Sequence, residues 1–391
     1  LVGSLSLKQK AAGDSETSSY YYVFNNQKDD GFVIVSGDDR MPEMIGYSRR
    51  GTMGDELPPQ LEAFLAAYRA TVDEVKKGTE EAVFNASLSS QLQQAETCQA
   101  IEPLLGDIAW GQDAPFNNDS PVLGGGGRAV TGCVATAMAQ VMMYHRWPDV
   151  LKADIDSYVT NTYHTNVDGE KAGERLDWDN MLPTYTEEEY NTTQANAVAK
   201  LMFHCGAAVQ MDYGDSSGAL LRPEDMSTYF GYDADLLQEV YRSFYTLAEW
   251  KKILDWELEA KRPIIYGGVA SNENGHQFVC DGSDGEGLYH INWGWPGDYD
   301  GYFDITLLDP EVRGTGAGTS ANGYNRDCSV IIGIVPDNES KDKPLVKEHS
   351  LYADAYEDHR KCTITNGERK NASEQFSLTV TPVFSNPTHN K

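Results

Sequence analysis

Three residue types that act together in nucleophilic chemistry recur in this chain in a suggestive order: Cys133, His276 and Asn292. Cys133 opens the stretch Cys133-Val134-Ala135-Thr136-Ala137-Met138-Ala139-Gln140-Val141-Met142-Met143-Tyr144-His145, rich in good helix formers. Val134, Met138, Val141 and Met142 recur at helical spacing and predict one buried face. Gly132 lets the backbone turn in front of that helix, Thr131 is placed to cap it, and Pro148 stops it. A thiol at a helix N-terminus faces unpaired N–H groups and the positive end of the dipole, which favours the thiolate, the nucleophilic form. The same position also suits a small buried residue, as free cysteines usually are. His276 lies within the roughly 130–150 residues downstream at which a cysteine nucleophile finds its imidazole, and Asn292 supplies a third, orienting group.

The elements that must position these residues are legible around them. Asn274-Gly275-His276-Gln277-Phe278 reads as a turn entering a strand, and Leu288–Asn292 as the returning strand, followed by a Trp293-Gly294-Trp295 loop. Pro263–Val269, Tyr302–Ile305 and Val330–Val335 complete an expected antiparallel sheet, with a helical stretch near 185–205 and a helix around 247–260 that packs on the domain. Upstream, Tyr20–Phe24 and Phe32–Val35 read as a hairpin and Met44–Tyr47 as a third strand. Apolar residues at 61, 64, 65, 68, 72 and 75 mark an amphipathic helix over 58–77. Residues 1–19 read as an edge or ill-ordered segment, and 85–100 as an exposed polar linker, where proteolysis concentrates. Residues 376–384 read as strand. The expected fold class is α+β, with domains at 1–100, 101–336 and 337–391, the last a linker and the start of a β-sandwich-like segment.

Composition sets limits. A chain of 391 residues with 40% hydrophobic content supports two or three packed domains. A formal charge of −29 argues against nucleic acid and against adsorption to anionic membranes. No apolar run approaches the ~20 residues of a membrane span, and the residues from Leu1 on do not read as a signal peptide, which is expected to have been removed. Six cysteines without close pairing make no disulfide framework. Asp298, Asp300 and Asp304 lack the rest of a calcium loop, and no cofactor or metal is expected. Gly124-Gly125-Gly126-Gly127 is a flexible loop, not a phosphate cradle. His204-Cys205 reads as core.

Gly132–Ala137, Tyr144-His145, Met211-Asp212-Tyr213-Gly214 with Ser216-Ser217-Gly218, Gly275-His276 and His290–Trp295 together resemble the streptopain family of papain-like bacterial secreted cysteine proteases. Gly31–Asp38 resembles that family's propeptide. The resemblance runs from about residue 20 to about 335. It implies a secreted endopeptidase made as a zymogen, a thiol protease and virulence factor held by its own prodomain. It implies Cys133 as nucleophile, His276 as its base, Gln112 as oxyanion donor and Asn292 or Trp293 as the partner of the imidazole. Gly132, Gly214, Ser216, Gly275 and Trp295 would line the substrate cleft. Specificity would be broad, with an apolar preference two residues before the cut. Asn274 and Gln277 replace the family's usual Gly and Ala beside the histidine and would narrow the cleft. A cell-wall peptide amidase and a non-catalytic adhesion or structural protein keeping the fold are the rival readings.

Overall fold

The structure, a computed structural model, describes residues 5–12, 19–26, 31–78, 99–186, 189–242, 245, 247–269, 275–297, 299–305, 326–339, 342–345, 362–365 and 379–382. The expected 85–100 linker lies almost wholly outside them, as do Asn274 and Asp298. The chain divides into two units, 1–345 and 346–391.

In the first unit, β1 (Leu5–Ala12), β2 (Ser19–Asn26), β3 (Phe32–Ser36) and β4 (Met44–Ser48) form an antiparallel meander. The first residues are therefore an edge strand. Helix α1 (Pro59–Lys77) follows, with proline in its first turn and Gly78 in the left-handed conformation at its end. Its predicted stripe is buried: Leu61, Phe64, Leu65, Tyr68, Val72 and Val75 are at most 1% exposed, each burial worth roughly 1.5–3 kcal/mol.

Helix α2 (Cys133–His145) starts where expected, but its capping differs. Gly132, at φ 87°, is the N-cap and no side chain caps it. Thr131 instead shares a 3.0 Å hydroxyl–hydroxyl hydrogen bond with Thr136, whose Oγ1 lies 3.0 Å from the Gly132 carbonyl. The single buried face is also corrected: every residue from Cys133 to Met142 is buried. The helix is wedged between another helix and the sheet, and its nearly uniform small and apolar composition fits that place. Arg146, in the left-handed region, ends it ahead of Pro148.

A short ribbon, β5 (Tyr158–Val159) and β6 (Asn166–Val167), precedes α3 (Thr192–Ala208). That helix begins later than predicted because Asn191 and Gln194 form a reciprocal capping box. Then come α4 (Pro223–Phe230), β7 (Gln238–Tyr241), α5 (Leu247–Glu259), β8 (Ile264–Val269), β9 (Gly275–Ser283), β10 (Tyr289–Asn292), β11 (Gly301–Phe303) and β12 (Arg326–Ile332). The last strand stops short of Val335 because Gly333 turns out of it at φ 68°.

The strands form one ten-stranded antiparallel sheet in the order β1-β2-β3-β4-β11-β10-β9-β8-β12-β7. The N-terminal meander thus continues the C-terminal sheet through the β4–β11 pair, Tyr302 opposite Tyr47 and Phe303 opposite Gly46. The contact is close. A Cβ on Gly46 would lie 2.4 Å from Phe303 Cδ1, and one on Gly301 would lie 2.4 Å from the Tyr47 carbonyl oxygen. Tyr47 stacks on Tyr302 at 5.1 Å, and the Ser48 hydroxyl donates to the Asp300 carbonyl at 2.6 Å. Residues 342–345 also belong to this unit: Asp342 and Lys343 carbonyls accept from Arg262 and Trp256.

In the second unit, β13 (Cys362–Thr365) and β14 (Thr379–Pro382) make an antiparallel pair. Among the described residues no helix is long and apolar enough to cross a membrane.

Candidate active site

Cys133 sits at the first turn of α2 and is 9% exposed. His276 is the second residue of β9, opposite Gly268 on β8. Cys133, His276 and Gln112 all line one cavity of about 1240 Å³. Across it stand residues on and just before α1, among them Leu57, Gln60, Ala63 and Arg69. The cavity is therefore a cleft between the α2–β9 junction and the N-terminal helix.

The backbone around Cys133 is tightly fixed. A side chain at Gly132 would be strained: its φ is positive, and a Cβ would lie 2.8 Å from the Met211 thioether and 3.1 Å from the Ser217 carbonyl oxygen. The Ser217 hydroxyl donates to the Val130 carbonyl at 2.7 Å and accepts from Gly214 N at 3.0 Å, while Val130 N donates to the Gly214 carbonyl at 3.1 Å. The 211–218 turn is thereby tied to the segment that leads into Cys133. Ser216 and Trp295 line the cavity. Gly132, Gly214 and Gly275 do not line it themselves but adjoin the lining residues Cys133, Asp215 and His276, and a Cβ on Gly214 would lie 2.5 Å from the Tyr163 ring.

The Cys133 sulfur accepts the Gln277 backbone N–H at 3.4 Å, a contact the sequence did not announce. The thiol is pushed above its ordinary value: burial raises it, and the N–H groups of Gln277, Val134 and Cys133 only partly oppose this. The expectation of a helix-lowered thiol is corrected accordingly, because desolvation outweighs the helix N-terminus in this covered cleft. Burial likewise lowers His276. Both shifts favour the neutral thiol and neutral imidazole over the charged pair.

Asn292 and Trp293 end the β10 strand. The Asn292 amide donates to the Ile108 carbonyl at 2.9 Å and accepts from Gly294 N at 3.0 Å. Trp293 is fully buried against Phe278 and Phe303 (centroids 5.0 Å each) and against Phe64 of α1 (6.2 Å). Its backbone N–H donates to Asp300 Oδ1 at 3.0 Å, while its indole N–H makes no hydrogen bond. Trp295 Nε1 donates to Gln60 Oε1 of α1 at 3.0 Å. Gln60, polar yet 1% exposed within an otherwise apolar stripe, was the readable sign that α1 faces a functional surface.

The cleft has the parts of a thiol hydrolase: a buried sulfur at a helix start, an imidazole on the adjacent strand, and a glutamine beside them. Comparison with known proteins agrees. Residues 110–303 match the peptidase C10 family and residues 4–72 match the Spi protease inhibitor family. Streptopain of Streptococcus pyogenes is 35% identical over 343 residues, which cover 83% of each protein. The thiol protease/hemagglutinin PrtT of Porphyromonas gingivalis is 35% identical over 344 residues, 84% of this chain; the match spans 38% of PrtT. A solved prointerpain A fragment from Prevotella intermedia superposes with TM-score 0.68 at 29% identity, covering 85% of this chain and 99% of that one. Active interpain A from the same organism gives 0.52 at 35% identity, covering 60% of this chain and 95% of that one. The chain belongs to the streptopain family of cysteine peptidases, peptidase family C10, and carries in front of its peptidase region a segment related to the Spi inhibitors.

Proposed function

We propose that this chain is the zymogen of a secreted, broad-specificity cysteine endopeptidase, with 1–100 as inhibitory prodomain and linker, 101–336 as peptidase and 337–391 as a linker and β-rich segment. The observation that carries the reading is the shared cavity: α1 of the inhibitor-like segment borders the same cleft as Cys133 and His276. Neither partner of that dyad favours its charged form while the cleft is covered. An attached inhibitor acts at high effective concentration, so even a weak surface holds the cleft shut.

Once the linker is cut and the N-terminal segment leaves, water enters the cleft and the desolvation that suppresses the thiolate is relieved. His276 takes the Cys133 proton, and the thiolate attacks the carbonyl carbon of a protein substrate. The Gln112 side-chain amide and the Cys133 N–H hold the oxyanion. The His276 imidazolium donates to the leaving amine, then draws a proton from the water that hydrolyses the acyl-enzyme. The peptide side chain two positions before the cut sits in an apolar subsite, where discrimination is modest. No cofactor takes part in these steps.

The test is a time course of the purified full-length chain, followed by intact mass and peptidase activity. The reading expects a lag, loss of roughly the first hundred residues, and acceleration with protein concentration. Full activity from time zero without any cut before the peptidase region would make the N-terminal segment a permanent structural domain.

A further inference from the structure

We propose that Asn292 and Gln140 are positioning residues that hold the extended segment 108–112, and with it the Gln112 side chain, in register with Cys133. This deepens the reading of Gln112 as an oxyanion donor and rests on it.

The segment is pinned at alternate residues, each time by a different part of the site. The Ile108 carbonyl accepts from Asn292 Nδ2 at 2.9 Å. The Trp110 N–H donates to Gln140 Oε1 at 3.2 Å. The Gln112 carbonyl accepts from Thr131 N at 3.1 Å. Asn292 lies at the end of β10, beside the strand that carries His276, whereas Gln140 and Thr131 lie on and just before the helix that carries Cys133. The intervening Ala109 N–H donates to the Pro183 carbonyl at 2.9 Å, and the Trp110 indole to the Leu182 carbonyl at 2.9 Å. A segment held this way cannot slide or twist without breaking a bond to the nucleophile's helix or to the histidine's sheet.

Two features set these amides apart from ordinary core polar groups. Gln140 is fully buried in an almost wholly apolar helix, and among the described residues its Nε2 has no hydrogen-bond partner. An unpaired buried donor is a standing cost, so the gain of this side chain is concentrated in the one bond to Trp110. Gln140 stands seven residues, about two turns, after Cys133, on the same side of the helix. Asn292, 2% exposed, directs its hydrogen bonds to Ile108 and Gly294, and none to the imidazole. Its action on the reaction therefore runs through the oxyanion segment and the Trp loop, in place of the histidine-orienting role that its sequence position suggests.

The test uses the full chain brought to its processed form, with a trace of wild-type protein where a variant does not process itself. Two rates are compared: turnover of a peptide amide, which needs the oxyanion site, and alkylation of Cys133 by iodoacetamide, which needs the thiolate and imidazole but no oxyanion donor. Asn292→Asp removes the donor to Ile108, and Gln140→Met removes the acceptor for Trp110. Each is expected to lower kcat by about 10–100-fold at nearly constant KM, the scale of a misplaced catalytic group. The alkylation rate and its pH profile stay unmoved in Gln140→Met and in Asn292→Ala, neither of which adds a charge. Gln140→Glu, which keeps the accepting oxygen, restores most of what Gln140→Met loses. In a Gln112→Ala background neither Asn292→Asp nor Gln140→Met lowers kcat much further.

A shifted pH profile of alkylation in Asn292→Ala, which adds no charge, would assign that residue to His276 and overturn the proposal. So would kcat losses that persist undiminished in the Gln112→Ala background. Gln112→Ala alone separates the two levels: if it leaves kcat intact, Gln112 is not the donor and the underlying reading falls first. Should Asn292→Asp not fold by its urea transition, the Gln140→Met and Gln140→Glu pair carries the test.

Discussion

Replacing Gly46 by alanine perturbs the full-length chain at one seam, the β4–β11 pair. The new Cβ would sit 2.4 Å from Phe303 Cδ1 and 2.9 Å from the Tyr302 carbonyl oxygen, closer than carbon atoms pack, so β4 and β11 must move apart. Overpacking of this kind costs roughly 1–3 kcal/mol. That range corresponds to about 5–150-fold more of the open chain. If Cys133 reacts only when the N-terminal segment lifts from the cleft, its alkylation rate in the intact full-length chain rises by the same factor. The assay is iodoacetamide labelling of fresh full-length protein, read by peptide mass at Cys133. Gly124→Ala, whose Cβ meets nothing within 4 Å, is the control and leaves labelling unchanged. A folded Gly46→Ala protein that labels at the wild-type rate would refute the argument that the continuous sheet helps hold the cleft shut.

Other outcomes follow from buried charge. His204 is fully buried and held down to about 4 by desolvation, with Lys200 adding to this and Glu174 opposing; Glu170 Oε2 lies 3.5 Å from Nε2 without a hydrogen bond. A folded value below the unfolded one means that the unfolded chain binds the proton first. Stability is therefore lost as pH falls from about 6.5 through about 4, by up to about 3 kcal/mol. His204→Leu flattens thermal stability across that window, and a midpoint that falls as steeply in the variant as in wild type would contradict this. Arg262 and Glu257 form a fully buried bidentate pair at 2.8 and 2.6 Å. Arg262→Met alone leaves Glu257 buried with only the Gly333 N–H and should cost about 3–5 kcal/mol in urea unfolding, more than the double change Arg262→Met with Glu257→Gln; equal losses would remove the pairing argument. In a peptide library the processed enzyme should favour apolar residues two positions before the cut, and a strict charge requirement there would show that the subsite is misread.

The sequence made the nucleophile helix plain because Gly132, Cys133 and a run of good helix formers are adjacent in the chain. It hid the surroundings of that helix. Burial on every side follows from neighbours 60 and 140 residues away, although a run as uniformly apolar as 133–142 already carried that signal. Local signals also mark two helix boundaries: Pro223 and Gly231 bracket α4, and Asn191 with Gln194 fixes the start of α3. The β4–β11 pair was not legible, since strands as short as Gly301–Phe303 carry no pattern that names a partner some 250 residues upstream. The helix-dipole argument for the thiolate was sound as local physics. It did not foresee that α1 would cover the cleft and let desolvation dominate. Chain order and the family resemblance offer Asn292 or Trp293 as the partner of the imidazole, whereas the hydrogen-bond partners of Asn292, Ile108 and Gly294, depend on how the 108–112 segment meets the end of β10.

The most direct measurement of the central claim is casein digestion by processed wild-type protein beside Cys133→Ala and His276→Ala, with a papain-type epoxide inhibitor as a covalent label. The account predicts that both variants lose digestion. It predicts that the label attaches to wild type at Cys133 and not to Cys133→Ala, and that Cys133→Ala incubated alone remains full length. Casein digestion by Cys133→Ala at the wild-type rate would contradict it.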